Sequence, residues 1–557
     1  MINKSTMRLR SIATGLCLAL ALPAALAQSP EVPRKVAKAM EKVKPTDIRN
    51  HIAYLADDKL LGRKPGTPGY QMAVDYVTDQ FRKLNVQPAG KNNTYLQTVR
   101  VRTAFTNPDA TMQLTADETG VEELAYGKDF SIFPNAGQEQ VTVDAPLVFA
   151  GFGISAPDMN YDDYANLDAK GKIVVILRGT PEGFPSTVAS YSTDYQTILN
   201  TAAKNGAVGV LVASLNPSSN LPEFSTRGMS SVMGADGKVA ASRSYHESIK
   251  VLGMLHFNVL QKLMEDANLD LVQVATNLRN GQPASADLPF SIQTSYSNRY
   301  EDIESPNVVG KIEGSDPVLK NEYVVHSAHL DHIGVGRPID GDSIYNGAHD
   351  NASGVASLLE IARVYNNLKQ KPKRSILIVM VTAEEMGLLG SAYFAKHPTV
   401  PASQLVANVN TDMPTLIAPL LSVVPLGAAH SSLQEEVQKA STYLGLDVEE
   451  DPEPEQNRFV RSDQYSFVVQ GVPALHIKYG NKTADGKNNL DETVKVWREK
   501  YYHKPQDNFE GGTFDFDAAK KYVQLNFLIG YLVAQDAQRP TWNEGDFFGN
   551  RFGSIKE

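Results

Sequence analysis

From about Asn307 to Ala534 short apolar runs alternate with amphipathic stretches, and this constrains the fold more than any other feature of the chain. Tyr323–Ala328, Ile376–Thr382, Val406–Asn410 and Val472–Tyr479 read as strands, and Ala352–Leu368 and Phe516–Ala534 as helices. Strand–helix alternation implies an α/β fold, a mixed, mostly parallel sheet sandwiched by helices. In such sheets ligand sites form outside the carboxyl ends of the strands. Acidic and histidine residues gather in those positions: His329-x-Asp331, Asp350, Glu384-Glu385, Asp412 and His503.

Together these residues offer every part of a two-metal hydrolase site. A metal pair about 3.5–4 Å apart needs a bridging carboxylate, terminal ligands on each ion and a free base for water. Residues two apart in extended chain face the same way, so the Asp331 side chain can bond the far nitrogen of His329 and set its tautomer. His332 is expected to point elsewhere. Asp350 stands where a helix begins and reads either as an N-cap or as a bridging ligand, with Asn351 or Ser353 free to cap instead. Glu384 and Glu385 end the apolar strand Ile376–Thr382; adjacent carboxylates point apart, so one can ligate while the other stays a general base. Asp412 reads as a turn aspartate or a ligand, and His503 is one of 11 histidines.

The ends and composition narrow the class. Lys4, Arg8 and Arg10, the apolar run Ile12–Leu22 and Ala25-Leu26-Ala27 read as a secretory signal over residues 1–27, so a periplasmic or secreted bacterial protein is expected after cleavage near Ala27. No stretch of the mature chain is long and apolar enough for a membrane span. Cys17, the single cysteine, lies within that signal, which leaves no disulfide, thiolate ligand or cysteine nucleophile afterwards. Formal net charge is −10 and becomes −13 without the three basic residues of the signal. An acidic chain without a basic stripe argues against nucleic acid as a partner.

At 557 residues more than one core is expected. Residues 28–125 open with a helical pattern from Thr46 to Leu84, interrupted by the Gly/Pro-rich stretch Leu61–Gly69, and continue with strand-like alternation. Residues 126–287 read as a smaller α/β insert, and 288–557 as the main part of the larger domain. The insert's histidines, His246 and His256, lack acidic companions at metal-site spacing, so it is expected to govern access rather than supply chemistry. Gly480–Tyr502, rich in Asn, Lys, Asp and Glu, reads as a mobile surface loop.

The stretches AHLDHIG (328–334), NGAHDNASG (346–354), TAEEMGLLGS (382–391), NVNTDMP (408–414) and YHKPQDN (502–508) resemble the cocatalytic dizinc exopeptidase family. That family includes bacterial leucyl-type aminopeptidases, glutamate carboxypeptidase and the transferrin receptor. RSDQYSF (461–467) and LGRKPGTPGYQMAVDY (61–76) are similar to it too, and the insert resembles a protease-associated domain. The resemblance implies a zinc exopeptidase fold and two Zn2+ per chain, with Co2+ or Mn2+ fitting comparably. His329 and Asp412 would bind one ion, Glu385 and His503 the other, and Asp350 would bridge. Glu384 would be the general base, Asp331 the residue orienting His329, and Tyr479 an aid to the oxyanion. Gln464 departs from the family's usual histidine, which bears on substrate contacts. Peptide substrates are implied, with release of N-terminal residues as the leading activity. A carboxypeptidase or dipeptidase, for which Arg461 could bind a carboxylate, is the alternative, and a non-catalytic binding protein is a more distant one.

Overall fold

The computed structural model describes residues 32–116, 120–414, 416–453, 456–511 and 513–556; the signal expected over residues 1–27 lies outside them. Four strands form the parallel centre of the main sheet: Ser375–Val381, Tyr323–His329, Leu405–Asn410 and Ala474–Tyr479, in that spatial order. Ser375–Val381 is the nearly continuous apolar run that a strand buried on both faces requires, and the other three interleave Val, Ile, Leu and Ala with buried His, Ser, Asn and Lys. Antiparallel neighbours flank them, Ser285–Ile312 on one side and Ser422–Leu426 on the other.

Helices cover both faces. Pro45–Leu55, Pro68–Lys83, Ser353–Asn367 and Phe516–Gln535 share one hydrophobic core with the sheet. Leu389–Lys396, Gln464–Val468 and Phe547–Phe552 pack in a second core on the other face. Before the second helix, Leu61, Gly62 and Arg63 all take positive φ. A Cβ on Gly62 would lie 2.3 Å from the Tyr345 carbonyl oxygen, so only glycine lets this turn approach.

Ser285–Ile312, 28 residues long, is shared by two sheets. Its later half pairs with Leu96–Thr106 and Ser375–Val381, and its earlier half with Gln140–Ala150 and Thr111–Ala116 of the insert. The insert's sheet continues through the parallel strands Ile173–Leu177, Gly209–Ala213 and Val251–Leu255. Met112, Leu114 and Leu124 belong to the insert's core. Its physical limits therefore fall near residues 107 and 297, wider than the 126–287 expected from texture: the turn Asn107-Pro108-Asp109 marks the first, and Ser285–Ile312 crosses the second without a break. Gly480–Tyr502 likewise differs from its expectation as a loop. It contains the helix Leu490–Tyr501, whose Val494 and Trp497 are buried.

Candidate functional site

His329 closes the strand Tyr323–His329, and its ring is buried. Its Nδ1 lies 3.1 Å from the backbone carbonyl of Asp331. That bond places the proton on Nδ1 and leaves Nε2 facing two carboxylates, Asp350 Oδ1 at 3.2 Å and Asp412 Oδ1 at 3.4 Å. Asp331 thus orients His329 through its carbonyl rather than its carboxylate. The carboxylate instead accepts the backbone N–H groups of Glu384 at 3.2 Å and Glu385 at 3.3 Å. The chain leaves the strand at His329, so the alternation of extended chain does not reach Asp331.

Asp350 sits in the turn Ala348–Ala352, entered through Gly347 at φ 60°. Asn351 does the capping: its Oδ1 accepts from the amides of Gly354 and Met413, and its Nδ2 donates to the Thr411 carbonyl. The Asp350 carboxylate is left to face the histidines, with Oδ1 toward His329 and Oδ2 3.2 Å from His503 Nε2. His503 also lies 3.4 Å from Glu385 Oε2. Asp350 therefore stands between two groups, His329 with Asp412 and His503 with Glu385.

Burial alone would strip His329 of its proton, yet Glu384, Asp350 and Asp412 hold its pKa well above the ordinary value. Burial also opposes charge on His503, and Asp350 and Glu385 overcome it. Asp350 and Asp412, in turn, are held below the usual carboxylate range despite burial, Asp350 chiefly by its histidine bonds and Asp412 chiefly by the Lys478 ammonium. The site is a concentration of negative charge that stabilises cations. Glu384 is the exception: burial, reinforced by Glu385, Asp463 and Asp412, pushes its pKa well above the ordinary value.

Several supports were given no role by the sequence, although Asp507, Arg63 and Ser462 lie inside the quoted motifs. Asp507, fully buried, accepts from the amides of His349 at 2.9 Å and Asp350 at 3.1 Å, and so fixes the turn. Arg63 donates to the carbonyls of Leu55, Leu330, Asn346 and Gly347, tying the N-terminal segment to two ligand loops. Ser462 Oγ donates to Asp412 Oδ2 at 2.7 Å, while His476 and Lys478 hold the Asp412 carbonyl at 2.8 and 2.9 Å. Only His476 and Lys478 among these carried a signal, their polarity inside the apolar strand Ala474–Tyr479, which periodicity alone does not interpret.

His332 corrects its expectation. Its Nδ1 lies 2.7 Å from Glu385 Oε1, and its ring is 5.9 Å from that of His503. Gln464 is also placed differently: it is fully buried, its Oε1 accepting from Asn410 and its Nε2 donating to the Phe459 carbonyl, so it braces the core instead of meeting substrate. Arg461 is exposed and donates to the Gln456 carbonyl. Tyr479 is buried among Arg458, Glu453 and Arg498, whereas Tyr502, stacked on His503 at 3.9 Å, lies in the field of Asp350, Asp412 and Glu385.

Two sets of donors converge within 4.8 Å: His329, Asp350 and Asp412, and His332, Asp350 and Glu385. Glu385 Oε1 and both ring nitrogens of His332 are buried and make no well-aligned hydrogen bond among the described residues, although His332 Nδ1 and Glu385 Oε1 lie 2.7 Å apart. Buried polar atoms in that condition, aimed at one point, are what a bound cation satisfies.

An α/β sheet with convergent carboxylates and imidazoles at the ends of its parallel strands has the architecture of a metal-dependent hydrolase. The Peptidase family M28 pattern matches residues 307–525, and the PA domain pattern matches residues 143–249. Residues 307–525 are thus a peptidase family M28 domain, and residues 143–249 a PA domain. Aminopeptidase NAALADL1 of Mus musculus is 36% identical over 136 residues, 24% of this chain and 16% of its own length. An aminopeptidase of Pseudomonas aeruginosa (strain UCBPP-PA14) is 25% identical over 360 residues, 63% of this chain and 53% of its own. The matches thus span about half or less of these relatives' length. A solved aminopeptidase from Aneurinibacillus sp. strain AM-1 aligns over 90% of this chain and 97% of its own, with 19% identity and a TM-score of 0.48.

Proposed function

We infer that the protein is an exported zinc aminopeptidase, releasing N-terminal residues from peptides at a two-ion centre. One observation carries the reading: Asp350 presents one oxygen to His329 and the other to His503, with Asp412 and Glu385 as their respective companions. His329 and Asp412 would hold one zinc, Glu385 and His503 the other, with Asp350 shared and His332 supporting Glu385. Such ions supply a Lewis acid and lower the pKa of bound water.

Glu384 is the general base. It takes a proton from the attacking water and returns it to the leaving amine, a role suited to a carboxylate whose pKa burial has raised. Asp331 aims it by holding the amides of both glutamates. The aminopeptidase relatives favour N-terminal release, and exposed Arg461 gives a carboxypeptidase no buried anchor. Export rests on the basic, apolar and small-residue pattern of residues 1–27; a mature protein beginning at Gln28 in the periplasm or medium is expected on N-terminal sequencing.

The decisive experiment combines metal analysis with substrate choice. Purified protein should carry two zinc ions per chain and cleave aminoacyl-nitroanilides and C-terminally blocked dipeptides. N-terminally blocked dipeptides should be inert. One ion at full activity would end the two-ion assignment, and cleavage of only the N-terminally blocked set would make the enzyme a carboxypeptidase.

A further inference from the structure

A cavity of about 540 Å3 lies between the insert and the peptidase domain. That is within the roughly 300–1,000 Å3 typical of ligand sites. The insert lines it with Tyr191, Arg243 and Tyr245, and the peptidase domain with Gly387, Lys396 and Tyr465. No residue that carries the chemistry lines it, yet the same backbone forms both places. The amides of Gly387 and Leu388 both donate to the Glu384 carbonyl at 2.9 Å, so the cavity wall begins one turn beyond the base. Tyr465 follows by two residues the buried Asp463, whose field reaches Glu384.

Direction decides what the cavity is for. Resting on the aminopeptidase reading, Glu384 hands its proton to the leaving amine, so it stands on the side from which the rest of the substrate departs. The chain beyond the scissile bond therefore runs toward the turn at Gly387. That residue has φ 111°, and a Cβ built on it would meet nothing nearer than Arg243 Cδ at 3.9 Å, so the turn leaves open space there. The Arg243 and Lys396 cations inside are already engaged, Arg243 Nε 3.1 Å from Asp194 and Lys396 donating to the Ala240 carbonyl at 2.9 Å, and Glu247 adds a carboxylate to the wall. With Tyr191, Tyr245 and Tyr465 they form a surface of aromatic faces and hydrogen-bonding groups, which suits an extended peptide of mixed sequence better than a single charged ligand.

We propose that this interdomain cavity binds the residues downstream of the one released, making the enzyme selective for oligopeptides over dipeptides. The contribution of the insert is then positive binding of substrate.

The test compares an aminoacyl-nitroanilide with peptides of increasing length that share its N-terminal residue, on the zinc-loaded enzyme. Ala241→Trp and Ala392→Trp fill the cavity from its two walls, and Tyr245→Ala removes a wall; thermal melts report folding. In the wild type kcat/KM should rise on the order of tenfold from dipeptide to hexapeptide, equivalent to about 1.4 kcal/mol. In the folded variants that rise should vanish while nitroanilide cleavage stays within about twofold. A flat length series in the wild type, a rise that survives filling, or equal loss on all substrates would overturn the assignment. Absence of any N-terminal release by the wild type would instead refute the aminopeptidase reading itself.

Discussion

At the scale of single residues, the site sets carboxylates of different character side by side. Asp350 and Asp412 are held ionised by cations and hydrogen bonds, whereas burial favours the protonated form of Glu384. Glu384→Gln should keep its metals and fold but lose about 10²–10⁴ in kcat, the usual contribution of a general base. Near-normal turnover would mean that Glu384 and Glu385 have exchanged roles. Asp350→Asn should lose both ions on metal analysis. Ser462→Ala removes the bond to Asp412 Oδ2, along with one that Ser462 Oγ accepts from Asn410, and should weaken one ion by about 10–100-fold, as loss of a partner behind a ligand does. Equal weakening of both ions in that variant would contradict the division of ligands.

Among the elements, close approach between strand and helix is what places the ligand loops. The helix Phe516–Gln535 crosses the strand Tyr323–His329 at Gly530, where a Cβ would lie 2.2 Å from His326 Nε2 and 2.7 Å from the Tyr365 hydroxyl. Backing the strand so tightly holds its end, His329, in place. Gly530→Ala should cost about 1–3 kcal/mol, the usual range for an overpacked core, in spite of alanine's better helix propensity. A stabilised variant in urea titration would show that this contact is soft. Leu490–Tyr501 places a helix where charge-rich sequence suggests a loop, because Val494 and Trp497 bury themselves and Trp497 packs edge-on against His349 at 4.7 Å.

For the whole molecule, buried histidines make stability depend on pH. Burial lowers the pKa of His326 from 6.5 to about 3, and that of His51 to about 4. Both are neutral in the folded protein and take up a proton more readily once unfolded. The stability they support is therefore complete above pH 6.5 and is lost as pH falls toward 3–4. For His326 the loss approaches about 1.4 kcal/mol per pH unit within that window. The melting temperature should fall from pH 6.5 to 4.5, and less steeply in His326→Phe, which keeps the ring's bulk without its proton. Parallel slopes would remove His326 as a cause. The strand Ser285–Ile312, common to both sheets, couples the two domains. Unfolding of the insert is therefore expected to coincide with that of the peptidase domain in calorimetry, and two separated transitions would argue otherwise.

The α/β class, the four parallel strands and the residues beyond their ends were legible in the sequence because strand burial and helix amphipathicity are local, periodic properties. The candidate ligands were legible for another reason: singly each reads equally as a cap, a turn or a solvated charge, but the order of the short motifs that carry them is distinctive. Contacts between distant segments were not. Asp507 beneath Asp350, Arg63 bonded to four carbonyls and His332 turned back onto Glu385 depend on how loops far apart in the chain fold over one another. The second limit of the insert was hidden too, since a strand that passes from one sheet to another keeps its alternation throughout. Periodicity reports which side of an element is buried; which other element buries it is decided only when the chain closes on itself.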